Sequence, residues 1–209
     1  MPEMTKSLHL VTSGQQPLEQ VTEIVRAAVK GGIDFLHIRE KQRTARELLQ
    51  WAETLSDVIP LERIIVNDRV DVAVAAGCGG VHLAYHSLPP ALAKGLLRKG
   101  QTMGCSIHSL TEAEDRQAEG VSYLMYGHIY ASQSKPGLMP RGTEELRKMV
   151  AQIKMPLIAI GGITPENAAE VVSSGCAGIA VLSGITGATD PEEAARAYRS
   201  VLDERKMER

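Results

Sequence analysis

Flat side chains are scarce in this sequence: aromatic residues make up 3% of it, with Trp51 the sole tryptophan and Phe35 the sole phenylalanine. Few surfaces are therefore available to stack nucleic-acid bases or sugars, and a small polar ligand fits better. Charge of one sign is also missing. The formal net charge is −2, and no run of five or six like charges offers an arm for nucleic acid or for a membrane surface. Cys78, Cys105 and Cys176 are odd in number and widely separated, which argues against a disulfide framework or a zinc site and predicts reduced, buried thiols. No apolar stretch approaches the roughly 20 residues that span a bilayer, and no basic segment followed by an apolar run opens the chain. These absences predict a cytoplasmic protein with neither a nucleic acid nor a membrane as partner.

What is present is a regular alternation. With 209 residues, 44% of them hydrophobic, the chain can bury one sizeable core, so residues 1–209 are expected to form a single domain. Short runs rich in Val, Ile and Leu predict eight strands: Leu8 to Val11, Ile33 to Ile38, Arg63 to Val66, Gly80 to Leu83, Thr102 to Cys105, Tyr123 to Tyr126, Leu157 to Ile160 and Gly178 to Leu182. Helical spacing appears between and after them, over Pro17 to Val29, Ala45 to Leu55, Val70 to Ala76, Pro89 to Leu97, Thr111 to Gln117, Glu144 to Ile153, Pro165 to Ser173 and Pro191 to Leu202. Thr164-Pro165 and Asp190-Pro191 place a capping oxygen before a proline. Gly31, Gly77, Gly100, Gly120 and Gly175 follow helical segments, where a positive φ is usually required. Strict β-α alternation implies parallel strands with right-handed crossovers. Eight such units without a glycine-rich loop after the first strand favour a closed (β/α)8 TIM barrel over an open doubly wound sheet.

In such a barrel chemistry sits just after the strands. Polar residues collect there: His37, Arg39, Glu40 and Lys41 after strand two, Asn67 and Asp68 after three, Ser106 and His108 after five, Gly127 and His128 after six. Gly161 and Gly162 follow strand seven, and Ser183 and Gly184 follow Leu182 at the end of strand eight. Small residues there leave backbone N–H groups free to meet a phosphate, although tight turns after buried strands would look the same. Arg39 and Lys41 alternate on an extended segment and can meet one anion. Lys135 lies in a loop, Ser132 to Gly137, that can close over a ligand. His128 is the candidate acid/base, because a neutral imidazole can take and return a proton at working pH. His82, inside an apolar strand, reads as a satisfied core residue. Among the acids only Asp68 is well placed for a metal, with His86 a weak second ligand, so neither a metal nor another cofactor is expected.

The stretches Ile38-Arg39-Glu40-Lys41, Ile65-Val66-Asn67-Asp68-Arg69-Val70-Asp71, Gly80-Val81-His82-Leu83, Ile160-Gly161-Gly162-Ile163-Thr164 and Leu182-Ser183-Gly184 resemble the thiamin phosphate synthase superfamily over nearly the full length. That superfamily has two branches, the synthase and the TenI-type thiazole tautomerase. The synthase joins a pyrimidine diphosphate to a thiazole phosphate, holding pyrophosphate and magnesium at strand ends. By resemblance Arg39, Lys41, Asn67, Ser106 and Lys135 match its diphosphate side, and Ser132, Ser134, Gly162, Leu182 and Ser183 match its thiazole-phosphate pocket. The synthase usually has Gln where this chain has His37, and a second metal-binding Asp where it has Ser87. Gly127-His128-Ile129-Tyr130 resembles the TenI pattern instead.

These departures predict a thiazole tautomerase, an isomerase acting on a carboxylated dihydrothiazole phosphate. In that reading His128 moves the proton, Gly162, Leu182 and Ser183 hold the phosphate, and Arg39 or Lys41 pairs with the carboxylate. The alternatives are the synthase itself, a non-catalytic TenI-like regulator, for which no DNA-binding motif is visible, and another phosphate-binding barrel, for example one acting on a sugar phosphate. Related barrels often form a homodimer, though no interface is legible in the sequence.

Overall fold

The computed structural model describes residues 6–132 and 137–204. Eight parallel strands close in sequential order into a single barrel. They are β1 Ser7–Val11, β2 Phe35–Ile38, β3 Ile64–Asn67, β4 Gly80–Leu83, β5 Thr102–Ile107, β6 Tyr123–Gly127, β7 Leu157–Ile160 and β8 Gly178–Val181. Around them run α1 Leu18–Lys30, α2 Ala45–Leu55, α3 Val70–Ala76, α4 Pro90–Lys94, α5 Leu110–Ala118, α6 Gly142–Gln152, α7 Pro165–Ser173, α8 Ser183–Thr186 and α9 Pro191–Glu204. The expected TIM barrel is the observed fold.

Alternation along each strand divides the core in two. Leu8, Leu10, Leu36, Ile38, Val81 and Leu83 point outward and pack with the helices. Val11, Met125, Ile158 and Ala180 point inward and form a separate apolar cluster inside the barrel. The three cysteines are free and buried.

Some element bounds differ from expectation for local reasons. β2 begins at Phe35 because the Ile33 N–H closes the end of α1 on Ala28 O, at 3.2 Å. β5 runs on to Ile107, which brings Ser106 into the strand. α4 stops at Lys94 rather than Leu97. α8, only four residues long, is too short to show a helical period and went unpredicted.

The glycines following α3, α5 and α7, Gly77, Gly120 and Gly175, have positive φ as expected, and so does Gly100, further beyond α4. Gly31 does not: its φ is −74°, and the neighbouring Gly32 takes the left-handed position, φ 98°. Gly31 is small for another reason, since a Cβ there would strike the Glu192 carbonyl and Ala195 on α9. At α9 the Asp190 carboxylate accepts the Glu193 N–H at 3.0 Å, the expected cap.

Candidate active site

On the β2, β3 and β5 side of the barrel mouth, the chain is held by hydrogen bonds beyond the strands. Thr12 Oγ1 accepts the Arg39 N–H at 2.9 Å, and the buried Glu40 carboxylate accepts the Gly14 N–H at 3.2 Å. Arg43 N–H then closes a turn on Glu40 O at 3.1 Å. That turn ends the extended run, so Arg39 and Lys41 do not alternate on one face as expected. Arg39 is half-buried at the strand end, and Lys41 is exposed on the turn.

Asn67 ends β3, and its side chain interacts with the buried His37, although neither Asn67 Oδ1 nor His37 Nδ1 makes a hydrogen bond of full geometry. Asp68 has φ 65°, the one positive φ among the described non-glycine residues, which is a strained backbone that Asp tolerates better than most and that often marks a functional site. Its carboxylate accepts a hydrogen bond from the Ser87 hydroxyl, and His86 Nε2 lies 3.5 Å away. No group of three or more His, Cys, Asp or Glu is arranged to hold a metal among the described residues.

On the β7 and β8 side, Gly161 and Gly162 have φ 102° and 66°. Ile129 N–H and Tyr130 N–H bond to Ile160 O and Gly161 O, each at 3.0 Å, stitching the loop after β6 to the loop after β7. Leu182 O accepts Ile185 N–H and Thr186 N–H at 3.1 and 2.9 Å, which starts α8 at Ser183. The first-turn N–H groups of Ser183 and Gly184 consequently have no helical acceptor of their own. β7 pairs with β8 with Ile160 beside Ala180, so the two glycine-containing ends are neighbours.

His128 is 5% exposed, and its Nε2 lies 3.3 Å from Leu138 O. Arg141, which sequence reasoning missed, donates from Nε to Gly127 O at 3.1 Å and from Nη1 to His108 O at 2.7 Å, tying the ends of β5 and β6 together. Ser132 is half-buried beside this region, while Ser134 and Lys135 lie outside the described residues.

Sequence reasoning also missed a polar layer inside the barrel. His9 Nδ1 lies 2.9 Å from His37 Nε2, and His9 Nε2 lies 2.9 Å from the Ser7 hydroxyl. His82 lies between the Tyr123 hydroxyl, 3.1 Å from Nδ1, and the Ser106 hydroxyl, 2.9 Å from Nε2. The signal was present, since His9, His37 and His82 each sit between outward-facing apolar neighbours on their strands. Burial pushes His9 and His82 well below the usual imidazole range and His37 down to about 4, against a smaller upward pull from the Asn67 side chain.

A closed (β/α)8 barrel with polar and glycine-rich strand ends places this protein in the broad class of TIM barrels. Within it, the chain belongs to the thiamine monophosphate synthase (TMP-TENI) family, whose model matches residues 8–185. It is 41% identical over 187 residues to the thiamine-phosphate synthase of Chlorobium luteolum, covering 87% of each protein. It is 38% identical to that of Moorella thermoacetica, covering 86% of this chain and 87% of the relative. A solved structure of thiamine phosphate pyrophosphorylase from Pyrococcus furiosus superposes with a TM-score of 0.86 at 34% identity, covering 96% of this chain and 97% of that one.

These relatives overturn the expected tautomerase, and with it the isomerase class, because they are named as synthases along nearly the whole chain. The tautomerase reading turned on His37, Ser87 and the four residues around His128. Its ring sits in a buried contact with the Leu138 carbonyl, the ordinary packing of a histidine at a strand end.

Proposed function

We propose that this protein joins a pyrimidine diphosphate to a thiazole phosphate and releases pyrophosphate. The observation that carries the reading is the division of the barrel mouth into two polar ends. Arg39 follows β2, Asn67 ends β3 and Ser106 lies on β5, and Gly161, Gly162, Ser183 and Gly184 lie across from them beyond β7 and β8. Two anion-binding ends on one mouth suit a reaction between two phosphorylated molecules. Names borne by relatives of 38–41% identity support the same reading.

In this reaction the C–O bond to the diphosphate breaks as a bond to the thiazole forms, and the electron pair leaves with pyrophosphate. Negative charge on the leaving group grows along the way, so donors fixed around it bind the transition state more tightly than the substrate. Arg39, Lys41, Asn67 and Ser106 take that role. Gly161, Gly162, Leu182, Ser183 and Gly184 hold the thiazole phosphate through N–H groups and the Ser183 hydroxyl, together with Ser132. One carboxylate is sparse for a resident magnesium, but that ion is usually held by one or two carboxylates together with substrate phosphates. Asp68, with its carboxylate side chain 22% exposed, would be the protein ligand, and the ion would neutralise charge on the departing diphosphate.

Steady-state kinetics on two variants tests the division. Arg39→Ala is expected to raise KM for the pyrimidine diphosphate by about 10- to 100-fold, the range for a lost hydrogen bond to a charged group, with KM for the thiazole phosphate little changed. Ser183→Ala should do the reverse with a smaller factor, about 3- to 10-fold. If both variants move the same KM, the two-ended reading fails.

A further inference from the structure

The interior of a TIM barrel is ordinarily filled by layers of branched apolar side chains. Here one level holds the rings of His9, His37, His82 and Tyr123, the histidines 5.2 to 5.6 Å apart between neighbouring centroids, with Tyr123 stacked on His82 at 5.6 Å. Burial keeps the three imidazoles neutral at ordinary pH. A neutral imidazole has one N–H donor and one bare nitrogen acceptor, so its neighbours decide which nitrogen holds the proton.

For His82 the neighbours give a definite answer. Burial raises Tyr123 well above the usual phenol range, so its hydroxyl keeps its proton and must place it on an acceptor. The acceptor within reach is His82 Nδ1, at 3.1 Å. If Nδ1 held the hydrogen instead, the hydroxyl of the half-buried Tyr123 would lose that acceptor, which is the costlier arrangement. Nδ1 therefore accepts and Nε2 carries the hydrogen, which it donates to Ser106 Oγ at 2.9 Å. With its oxygen engaged as acceptor, the half-buried Ser106 has its own hydrogen left for another group.

We infer that Tyr123 and His82 are positioning residues that fix Ser106 as a hydrogen-bond donor toward an anionic oxygen of the diphosphate. This deepens the synthase reading and rests on it for the identity of the anion. A serine free to rotate can donate or accept; one held this way favours an ionised oxygen over a P–OH group. The two positioning groups lie inside the barrel, behind the residue that meets the ligand, so they act without touching it.

The test uses the full chain and inorganic pyrophosphate as probe, titrated calorimetrically into wild type, Tyr123→Phe, Ser106→Ala and the double variant. Tyr123→Phe is expected to weaken binding about 3- to 10-fold in the wild-type background and less than about twofold once Ser106 is alanine. Nitrogen-15 NMR of the unaltered protein supplies a readout that needs no variant and no ligand: His82 should show a protonated Nε2 and a bare Nδ1. Weakening of equal size in both backgrounds, a wild type that does not bind pyrophosphate, or a His82 protonated on Nδ1 would each overturn the inference. The predicted tautomer and coupling in a protein that forms no product would support the inference and sink the synthase reading instead.

Discussion

Acid is expected to destabilise this protein steeply, beginning as the pH falls below about 6.5. His9, His37 and His82 are buried and neutral in the folded chain, with His37 lowered to about 4 and the other two shifted the same way by burial and by mutual repulsion. In the unfolded chain each returns to the ordinary value near 6.5. Below that value the unfolded state binds protons that the folded state refuses, so stability is lost as the pH falls and is fully present above it. Each refused proton is worth about 1.4 kcal/mol per pH unit, and three set a limiting slope of about 4 kcal/mol per unit. Against a typical total of about 5–15 kcal/mol, a fall of two units removes a large share. Urea denaturation at pH 7.5 and pH 5.0 should show a large drop in midpoint, and His37→Gln should reduce the slope by about one proton. Equal midpoints at the two pH values would contradict the buried neutral cluster.

Gly162→Ala is expected to cost both stability and turnover. Gly162 has φ 66°, and a Cβ there would lie 2.5 Å from Ala131 O and 2.8 Å from the Tyr130 carbonyl carbon. Both are backbone atoms of the loop stitched to β7, so neither can swing aside as a flexible side chain would. The left-handed backbone alone costs a non-glycine residue about 1–2 kcal/mol, and the clash displaces the loop as well. A displacement near 1 Å at a positioned phosphate can lower kcat by about 100-fold. Gly77→Ala is the control: φ is 71°, nothing lies within 4 Å of its Cβ, and it is remote from the mouth, so it should lose stability without losing kcat. Wild-type kcat in Gly162→Ala would remove the loops after β6 and β7 from the reaction.

The fold was legible because each strand and helix carries its own period. β4, β7, α2, α3 and α7 were readable to the residue, since turn signals and apolar runs bound them. The branch of the family was not legible from the departures at His37, Ser87 and His128, because a few positions carry less than identity spread along the chain. The interior histidines were legible as inward-facing residues between apolar neighbours, but their partners were not. His82 alone, between Val81 and Leu83, looks like a lone satisfied core residue. Its meaning depends on Ser106 from β5 and Tyr123 from β6, which only the barrel brings to 2.9 and 3.1 Å. Lys41 shows the converse error, since an extended spacing in the sequence ends where the Glu40 to Arg43 turn begins.

The most direct test of the central claim is to incubate the purified protein with the pyrimidine diphosphate, the thiazole phosphate and magnesium, and to follow thiamin phosphate and pyrophosphate together by chromatography and mass spectrometry. The two products should appear in equal amounts, and omission of either substrate should abolish both. Intact substrates after prolonged incubation with folded protein would contradict the account.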